Sequence, residues 1–572
     1  MRLEQFLEDL GKKAIHDALR LDAPAMVRPS TNAKHGDFQL NGVLPLAKQL
    51  GKAPRELAGP VAAALLSSDA IAAAEVAGPG FVNLTLRPEW LAAHLDEDVR
   101  DSARDGVPAV PSPETIVVDF SSPNIAKQMH VGHLRSTIIG AAIIALQRYV
   151  GHRVIGDNHL GDWGTQFGML IAGMRHFGSE DALAADAIAE LERVYKLAAD
   201  RAKTDTAFAD EARAELAKLQ SGDPGNRAQW ERFVATTRVA LDQVYARLGV
   251  TFDEWLGESA YDAMLPGVVD TLLTQGIARE DDGAICVFFD DVTELAKEKS
   301  PFMVRKRDGA FGYATSDVAT VLYRRDHFHA DRSIYVVDVR QSLHFKQLFA
   351  VARKLGIAMR LEHVGFGTVL GEDGKPLKTR DGKVITLASL LDEAESRAAI
   401  RIREEGLEVP EDELEQVARA VGIGAVKYAD LRQNRLSDYQ FDFDKMISFK
   451  GNSGPYLQYA YARIGSIFRK GALDPATASG PLLLAAPEEL ALVKELARFG
   501  DVVHAAAESS EPHRVCDHLY TVARLYSSFY EACPVLKSEG ATRASRIALC
   551  WMTQRQLRRG LALLGLSTID RM

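Results

Sequence analysis

The stretch IVVDFSSPNIAKQMHVGHLRSTIIG, residues 116–140, decides the fold of this chain. Its apolar start, Ile116–Phe120, is interrupted only by Asp119 and predicts a buried strand. A polar loop follows, and the apolar period of a helix begins at His130 and His133. A strand, a loop and a helix N-terminus in this order favour phosphate binding, because free backbone N–H groups and the helix dipole both attract anions.

No glycine-rich nucleotide fingerprint accompanies this corner. The stretch contains neither GxGxxG nor GxxxxGK(S/T), so side chains must supply most phosphate contacts. Two imidazoles three residues apart can both donate to phosphate oxygens, and Gly132 between them leaves flat space for an adenine ring. This combination suits nucleotidyl transfer, which depends on alignment and charge neutralisation. The alternative is that the two histidines only pack or face solvent.

Length and composition indicate a soluble protein of several domains. A chain of 572 residues exceeds one ordinary core, and about two to four domains are expected. No apolar run reaches the roughly 18 residues of a membrane helix, and the N-terminus does not resemble a secretory signal. We therefore expect a cytoplasmic protein without a membrane segment. The four cysteines form no CxxC pair and are expected to be reduced thiols: Cys286, Cys516, Cys533 and Cys550.

The distribution of charge is more informative than its sum. The net charge is −10, but the segment from Ala541 to the end carries six arginines and one acid. The arginines are Arg543, Arg546, Arg555, Arg558, Arg559 and Arg571. This basic end is either an electrostatic footprint for a phosphate backbone or a solvated helix face.

Three domains are expected from the order of the patterns. Residues 1–110 predict a small α/β domain that ends in a proline-containing linker. Residues 111–450 alternate strand and helix patterns, which predicts a doubly wound parallel sheet of Rossmann type with a helical insertion at about residues 177–220. Residues 451–572 are expected to form an all-α domain.

Motifs along the whole chain carry a resemblance to a known family. They are SPNIAKQMHVGHLRSTIIG, GDFQLNG, AGPGFVN, GDWGTQFGMLI, YATSDVA, GIGAVKYADL and GPYLQYAYAR. Together they resemble class I aminoacyl-tRNA synthetases, and in detail the arginyl-tRNA synthetase family. The resemblance implies a ligase that activates L-arginine with ATP to arginyl-adenylate and transfers arginine to the 3′-terminal adenosine of tRNA(Arg). It also implies that activation requires bound tRNA.

The resemblance further implies the residues that handle ATP. The signature motif comprises Pro123, Asn124, Lys127, His130, Val131, Gly132 and His133. His130, Gly132 and His133 are expected to bind ATP. The family's Lys-Met-Ser-Lys-Ser loop is absent, and GKPLKTRDG stands in the equivalent place. Its Lys375, Lys378 and Arg380 are expected to face the leaving pyrophosphate, with Lys375 and Lys378 catalytic, unless this loop is only a solvated turn.

Lys127 is a candidate to compensate for the missing loop. With His130 and His133 it completes the expected catalytic group. Magnesium is expected to arrive with ATP, and no protein-bound metal is indicated.

Recognition of arginine can be argued from carboxylates, because they satisfy the planar guanidinium fork bidentately. Asp119 interrupts an apolar strand, where a buried charge needs a cationic partner. Tyr313 and Asp317 lie four apart, on one face of a predicted helix. The resemblance assigns these three residues to the guanidinium, and Asn124 and Gln341 to the α-amino and carboxylate groups. Alternatively, Asp119 pairs with a protein arginine and Asp317 caps a helix.

The binding of tRNA is less legible in the sequence. The resemblance implies that the C-terminal domain reads the anticodon and that the N-terminal domain touches the tRNA elbow. Four aromatic residues are available for base stacking, although their helical spacing is more typical of a core: Tyr526, Phe529, Tyr530 and Trp551. We expect a monomer. Two rival functions are a small-molecule nucleotidyltransferase and a tRNA-binding paralogue that has lost activation.

Overall fold

The chain forms two compact units. A computed structural model describes residues 2–30, 32–101, 103–298, 300–371, 373–377, 385–474 and 481–572. The first unit contains Met1–Val110, Ile402–Ala420 and Ser448–Met572, and the second contains Pro111–Arg401 and Val421–Ile447. In the described part of the chain, no helix is both long and apolar enough to cross a membrane.

The N-terminal segment of the first unit is a small α/β fold, as predicted. Its strands are β1 (Val27–Pro29), β2 (Phe38–Leu40), β3 (Ile71–Ala77) and β4 (Phe81–Leu86). Its helices are α1 (Leu3–Leu19), α2 (Val43–Leu50), α3 (Pro54–Leu65) and α4 (Pro88–Arg100). The sheet is antiparallel in the order β1-β2-β4-β3. The hairpin from β3 to β4 turns at Gly78 and Gly80, whose φ values of 52° and 147° favour glycine.

The second unit is built on a parallel sheet. The strands of this unit are β5 (Thr115–Asp119), β6 (Arg153–Asp157), β7 (Ala278–Asp281), β8 (Ala284–Val287), β9 (Phe302–Arg305), β10 (Arg332–Tyr335), β11 (Arg360–His363), β12 (Val369–Leu370) and β13 (Tyr439–Gln440). Four of them pair in parallel in the order β11-β10-β5-β6. The chain thus departs from β5 toward both edges, which confirms the predicted doubly wound sheet and places a switch point beside β5.

The other five strands named above lie outside this sheet. Strands β8 and β9 join β7 in a separate antiparallel sheet of three strands. Only two residues connect β7 to β8, and so short a turn permits only antiparallel pairing. Strand β12 pairs with β13.

The described residues between Val131 and Met446 form twelve α-helices, and those from α6 to α10 include the insertion. They are α5 (Val131–Tyr149), α6 (Thr165–Phe177), α7 (Glu180–Ala185), α8 (Ala187–Ala202), α9 (Thr206–Gln220), α10 (Pro224–Leu248), α11 (Leu265–Thr274), α12 (Tyr313–Asp326), α13 (Ser342–Lys354), α14 (Leu387–Glu404), α15 (Leu414–Leu431) and α16 (Phe443–Met446). The predicted end of the insertion near Gln220 is wrong, because the helices continue through α10. Asp223 accepts from the Asn226 N–H and caps a new helix there.

Helix α5 lies directly on strand β5. A Cβ on Gly140 would overlap the ring of Phe120, so only glycine allows this close approach. Ile116, Val117 and Val118 are completely buried, as the apolar run predicted. The loop between β5 and α5 therefore starts and ends on elements of the core.

The C-terminal segment of the first unit is helical, as predicted. Its helices are α17 (Gly454–Gly471), α18 (Pro487–Leu496), α19 (Phe499–Ser509), α20 (His513–Ala532) and α21 (Gly540–Leu563). Tyr526 and Phe529 are 1% and 0% exposed, so they belong to the core and cannot stack on bases. Tyr530 and Trp551 are half-buried. The four cysteines of the chain are buried as free thiols.

Half of the arginines in the basic end make ion pairs within this unit. Arg546 contacts Glu489 at 2.7 Å. Arg555 and Arg559 both contact Asp105, the latter at 2.5 Å. These three arginines hold α21 in its packing within the unit, so they do not form a freely solvated basic face.

Candidate active site

The two histidines cap the N-terminus of helix α5. The Gly132 N–H donates to His130 Nδ1 at 3.0 Å, and the His130 N–H donates to His133 Nδ1 at 3.1 Å. Because each Nδ1 accepts a backbone proton, the ring proton of each neutral imidazole must lie on Nε2. A Cβ on Gly132 would lie 2.8 Å from His130 Cε1, so a side chain there would displace this ring.

Both imidazoles are held in the neutral form. Burial, with the charges of Arg340 and Lys127, lowers the pKa of His130. Burial, followed by the neighbouring His130, lowers the pKa of His133 to about 3, although its bond from the His130 backbone acts in the opposite sense. At neutral pH the pair therefore offers two uncharged Nε2–H donors. Positive charge for a phosphate must come from other residues.

The loop after β5 has an unusual backbone conformation. Ser121, Ser122 and Ala126 have φ values of 70°, 48° and 61°. This left-handed region costs residues other than glycine roughly 1–2 kcal/mol each. Their N–H groups donate to Ser136 Oγ at 2.8 Å, Asn158 Oδ1 at 3.1 Å and Thr237 Oγ1 at 3.2 Å, respectively. These bonds to buried acceptors offset the strain and fix the path of the loop.

Asp119 is bonded to an arginine of the protein itself. Its Oδ2 accepts from Arg324 at 2.7 Å, and its Oδ1 accepts from Ser122 Oγ at 2.9 Å. Arg324 also donates to Asp157 at 2.8 Å. The parallel register places Asp119 directly opposite Asp157, so two carboxylates meet at the end of neighbouring strands. The structure thus shows the alternative that the sequence left open, in which Asp119 pairs with a protein arginine.

The charges of this triad are strongly coupled. Arg324 is completely buried, and burial alone would lower its pKa. Asp119, Tyr335 and Asp157 outweigh burial and raise the pKa of Arg324 well above its ordinary value. Burial raises the pKa of Asp157, while Arg324 opposes that shift. One guanidinium thus serves two carboxyl groups at this end of the sheet.

Tyr313 and Asp317 meet at a histidine that the sequence did not indicate. Helix α12 begins at Tyr313, whose side chain is 69% exposed. His344 Nε2 lies 2.5 Å from Asp317 Oδ2, and its ring centroid is 5.0 Å from that of Tyr313. The structure therefore brings the predicted aromatic face and carboxylate together.

Further carboxylates face Asp317. Glu258, in a 3-10 helix that spans Glu258–Met264, interacts electrostatically with His159, Asp317 and Asp162. Burial and the two aspartates raise the pKa of Glu258 to about 7, although His159 lowers it. Burial raises the pKa of Asp162 as well. This acidic neighbourhood can attract a cationic ligand.

The predicted residues for the α-amino and carboxylate groups lie on two loops. Asn124 forms a backbone bridge with Gly161, and a Cβ on Gly161 would overlap the Asn124 side-chain oxygen. Gln341 is exposed at the start of α13. Its neighbour Arg340 makes a bidentate ion pair with Asp338, at 2.9 and 2.7 Å.

The lysines predicted to act on ATP lie in different surroundings. Lys127 is half-buried, and its Nζ lies 5.6 Å from the centroid of the Tyr195 ring. Lys375 is exposed in a turn, and its backbone N–H donates to Asp373 Oδ1 at 3.1 Å. Lys378 and Arg380 lie outside the described residues.

Asp119, Asp157 and His159 place one ligand atom each within 4.8 Å of one another, as a metal site would require. The Arg324 guanidinium contacts both carboxylates, and its charge already occupies this position. The donor set therefore does not fit a resident cation.

Sequence reasoning missed Arg324, Asp157 and His344. Asp157 could have been found, because it ends an apolar strand as Asp119 does. Arg324 follows the apolar face of α12, which is a weaker signal for a buried charge. His344 carried no signal, because its role depends on the packing of α13 against α12.

Three families match successive parts of the chain. The family described as tRNA synthetases class I (R), catalytic domain, matches residues 99–443. The DALR anticodon binding domain matches residues 457–572, and the arginyl tRNA synthetase N terminal domain matches residues 4–86.

Relatives and solved structures agree with these families. The chain is 47% identical over 580 residues to an arginine–tRNA ligase of Laribacter hongkongensis and 44% identical over 579 residues to one of Hahella chejuensis, with full coverage of both sequences in each case. The arginyl-tRNA synthetase structures of Plasmodium falciparum and Thermus thermophilus superpose with a TM-score of 0.83 at 27% and 25% identity. They cover 100% of this chain, and the chain covers 99% and 100% of them. The chain therefore belongs to the arginyl-tRNA synthetases of class I.

Proposed function

We propose that the corner from β5 to α5 is the catalytic centre of an arginine–tRNA ligase. The observation that carries this proposal is the junction of two sets of groups on one loop. Neutral Nε2–H donors lie at the helix end of the loop, and an acidic neighbourhood lies at its strand end. A triphosphate and a guanidinium can then be held on either side of the same backbone segment.

In the first step, a carboxylate oxygen of arginine attacks the α-phosphate of ATP. The new P–O bond forms as the bond to pyrophosphate breaks, which gives arginyl-adenylate. In the second step, a hydroxyl of the 3′-terminal adenosine of tRNA(Arg) attacks the arginyl carbonyl and releases AMP. Neither step requires a strong acid or base, so alignment and electrostatic stabilisation supply most of the catalysis.

The nucleotide is held by the signature motif Pro123–His133. His130 and His133 donate through Nε2 to phosphate oxygens, and Gly132 gives the ring of His130 its space. Lys127 brings positive charge to the triphosphate, since the imidazoles carry none. Lys375, Lys378 and Arg380 act on the leaving pyrophosphate, and Mg²⁺ enters with ATP as part of the substrate.

The amino acid is held by carboxylates and amides. Asp317 and Tyr313 take the guanidinium from one side. Asp119 accepts a further hydrogen bond from the guanidinium at the end of β5. A carboxylate offers about four acceptor positions, and Arg324 and Ser122 use only part of them. Asn124 and Gln341 bind the α-amino and carboxylate groups of arginine, as the resemblance to the family implies.

The remaining proposals concern tRNA and organisation. Residues 1–110 form the domain that touches the tRNA elbow, residues 111–450 the catalytic domain with its insertion, and residues 451–572 the anticodon-binding domain. Tyr530 and Trp551 remain candidates for base contacts, because Tyr526 and Phe529 are buried. The protein acts as a monomer in the cytoplasm.

Pyrophosphate exchange tests the proposal, measured with arginine, with and without tRNA. Exchange that needs both arginine and tRNA is expected. Binding of tRNA without exchange in any condition would instead indicate an inactive paralogue. Nucleotidyl transfer to a small acceptor without any tRNA dependence would indicate a small-molecule transferase.

A further inference from the structure

One helix of the insertion supports the loops of the active site. Trp230, Thr237 and Tyr245 are spaced seven and eight residues apart along α10, so they share one helix face. Trp230 Nε1–H donates to the Asp162 carbonyl at 2.7 Å. Thr237 Oγ1 accepts from the Ala126 N–H at 3.2 Å.

Tyr245 completes this row. Its hydroxyl lies 2.7 Å from Ser121 Oγ, and it accepts from Asn158 Nδ2 at 3.1 Å. Thr237 and Tyr245 therefore bond to two of the three residues with left-handed backbone in the loop. The conformation of the segment that ends at Lys127 depends on the insertion.

A second helix of the insertion meets Lys127 itself. The Lys127 Nζ lies 5.6 Å from the ring centroid of Tyr195, which belongs to α8. Lys127 directly follows Ala126, whose backbone is anchored to Thr237. The backbone next to Lys127 is thus held by α10, and its ammonium group is held by α8.

An aromatic ring suits this task better than a carboxylate would. The face of a tyrosine ring attracts an ammonium by its quadrupole, within about 6 Å of the centroid. A carboxylate would neutralise the lysine and compete with phosphate for it, whereas the ring leaves the full charge. The ammonium is then oriented but remains available to a triphosphate.

We propose that Tyr195 is a positioning residue for Lys127 in the adenylate-forming step. Its ring holds the ammonium beside the histidine pair before ATP binds. The insertion thereby determines the position of Lys127, whose charge acts on His130. This inference rests on the proposed role of Lys127 toward ATP.

A double-mutant cycle tests the inference in the full-length protein. Tyr195→Leu and Tyr195→Phe are made alone and together with Lys127→Met, and the rate of arginine- and tRNA-dependent pyrophosphate exchange is measured. We expect Tyr195→Leu to lower kcat roughly three- to thirtyfold, the range for loss of a cation–π contact, with the KM for arginine unchanged. Tyr195→Phe should retain most of the rate. In the Lys127→Met background, Tyr195→Leu should have no further effect.

Two controls separate positioning from folding. Leu197→Ala changes an exposed residue on the same helix and should leave exchange unchanged. Pentafluorophenylalanine at position 195 keeps the shape of a ring but reverses its quadrupole, so it should behave like leucine. Melting temperatures show whether each variant is folded.

The outcomes test the positioning role of Tyr195 separately from the catalytic role of Lys127. Equal losses from Tyr195→Leu with and without Lys127 would overturn the positioning role, because the ring would then act through packing. Full activity of the pentafluorophenylalanine variant would overturn it as well. Full activity of Lys127→Met would instead remove the proposed catalytic role of Lys127, and the inference with it.

Discussion

Arg324 donates to Asp119 at 2.7 Å, with its own side chain completely buried, in the site that is proposed to bind a second guanidinium, that of the substrate. The same arginine donates to Asp157. A resident guanidinium thus balances the two carboxylates that end neighbouring strands. Arg324 offsets the cost of burying these two carboxylates, so recognition of the substrate guanidinium is proposed to depend mainly on Asp317.

Arg324→Met is expected to lower the free energy of unfolding by about 3–5 kcal/mol, because it leaves two buried carboxylates without their cation. Urea unfolding followed by circular dichroism measures this change. Arg325→Met is the matched control, since Arg325 is an exposed neighbour paired with Asp326, and it should change stability by about 0.5 kcal/mol or less. Similar losses in the two variants would contradict the importance of the buried triad.

Asp317→Asn is expected to raise the KM for arginine roughly ten- to a hundredfold, because one charge-assisted bond to the guanidinium is lost. The KM for ATP should change little, since the contacts of Asp317 are with His344, which also meets Tyr313, and not with the residues proposed to bind ATP. Both constants come from pyrophosphate exchange in the presence of tRNA. Equal increases for arginine and ATP would rule out a specific role in binding the guanidinium.

Local patterns in the sequence were sufficient to predict the centre of the fold. The apolar run to Phe120 and the helical period after His130 each lie within a few residues, so strand, loop and helix could be predicted. The partner of Asp119 could not, because Arg324 is 205 residues away and meets it only when the sheet forms. The sequence could offer a protein arginine only as an alternative.

Capping and burial explain two further differences. The Gly222–Pro224 segment resembles the end of the insertion, but Asp223 caps another long helix that carries Thr237. Tyr526 has the spacing of a surface aromatic as well as of a core residue, and only the packing of α20 decides between them. Burial depends on contacts that are distant in sequence.

His133→Asn is expected to flatten the pH dependence of stability in mild acid. The pKa of His133 is lowered to about 3 in the folded protein, whereas an unfolded histidine has a pKa of about 6.5. Between these values the unfolded chain binds the proton and the folded chain does not. The free energy of unfolding of the wild type therefore falls as the pH drops below about 6.5.

Asparagine keeps an acceptor for the His130 N–H but cannot titrate. The free energy of unfolding is measured by urea denaturation between about pH 4 and 8, and the difference between wild type and variant is plotted against pH. The difference should shift in favour of the variant as pH falls below about 6.5. A difference that is constant with pH would show that His133 titrates normally in the folded protein.

Glu258 is expected to make arginine binding sensitive to pH near neutrality. Burial, together with Asp317 and Asp162, raises the pKa of Glu258 to about 7, although His159 opposes this. As pH falls through that value, Glu258 gains a proton and the acidic neighbourhood loses one negative charge. The KM for arginine should therefore rise as the pH falls from 8 to 6 or so, because the substrate guanidinium stays charged throughout.

In Glu258→Gln, the KM for arginine should be raised at pH 8 and should no longer change with pH in this range. The KM for ATP in the same exchange assay is the internal control, since it should follow one profile in both proteins. A wild-type KM for arginine that is flat from pH 6 to 8 or so, or a variant that keeps the wild-type profile, would show that another group controls the charge of the pocket.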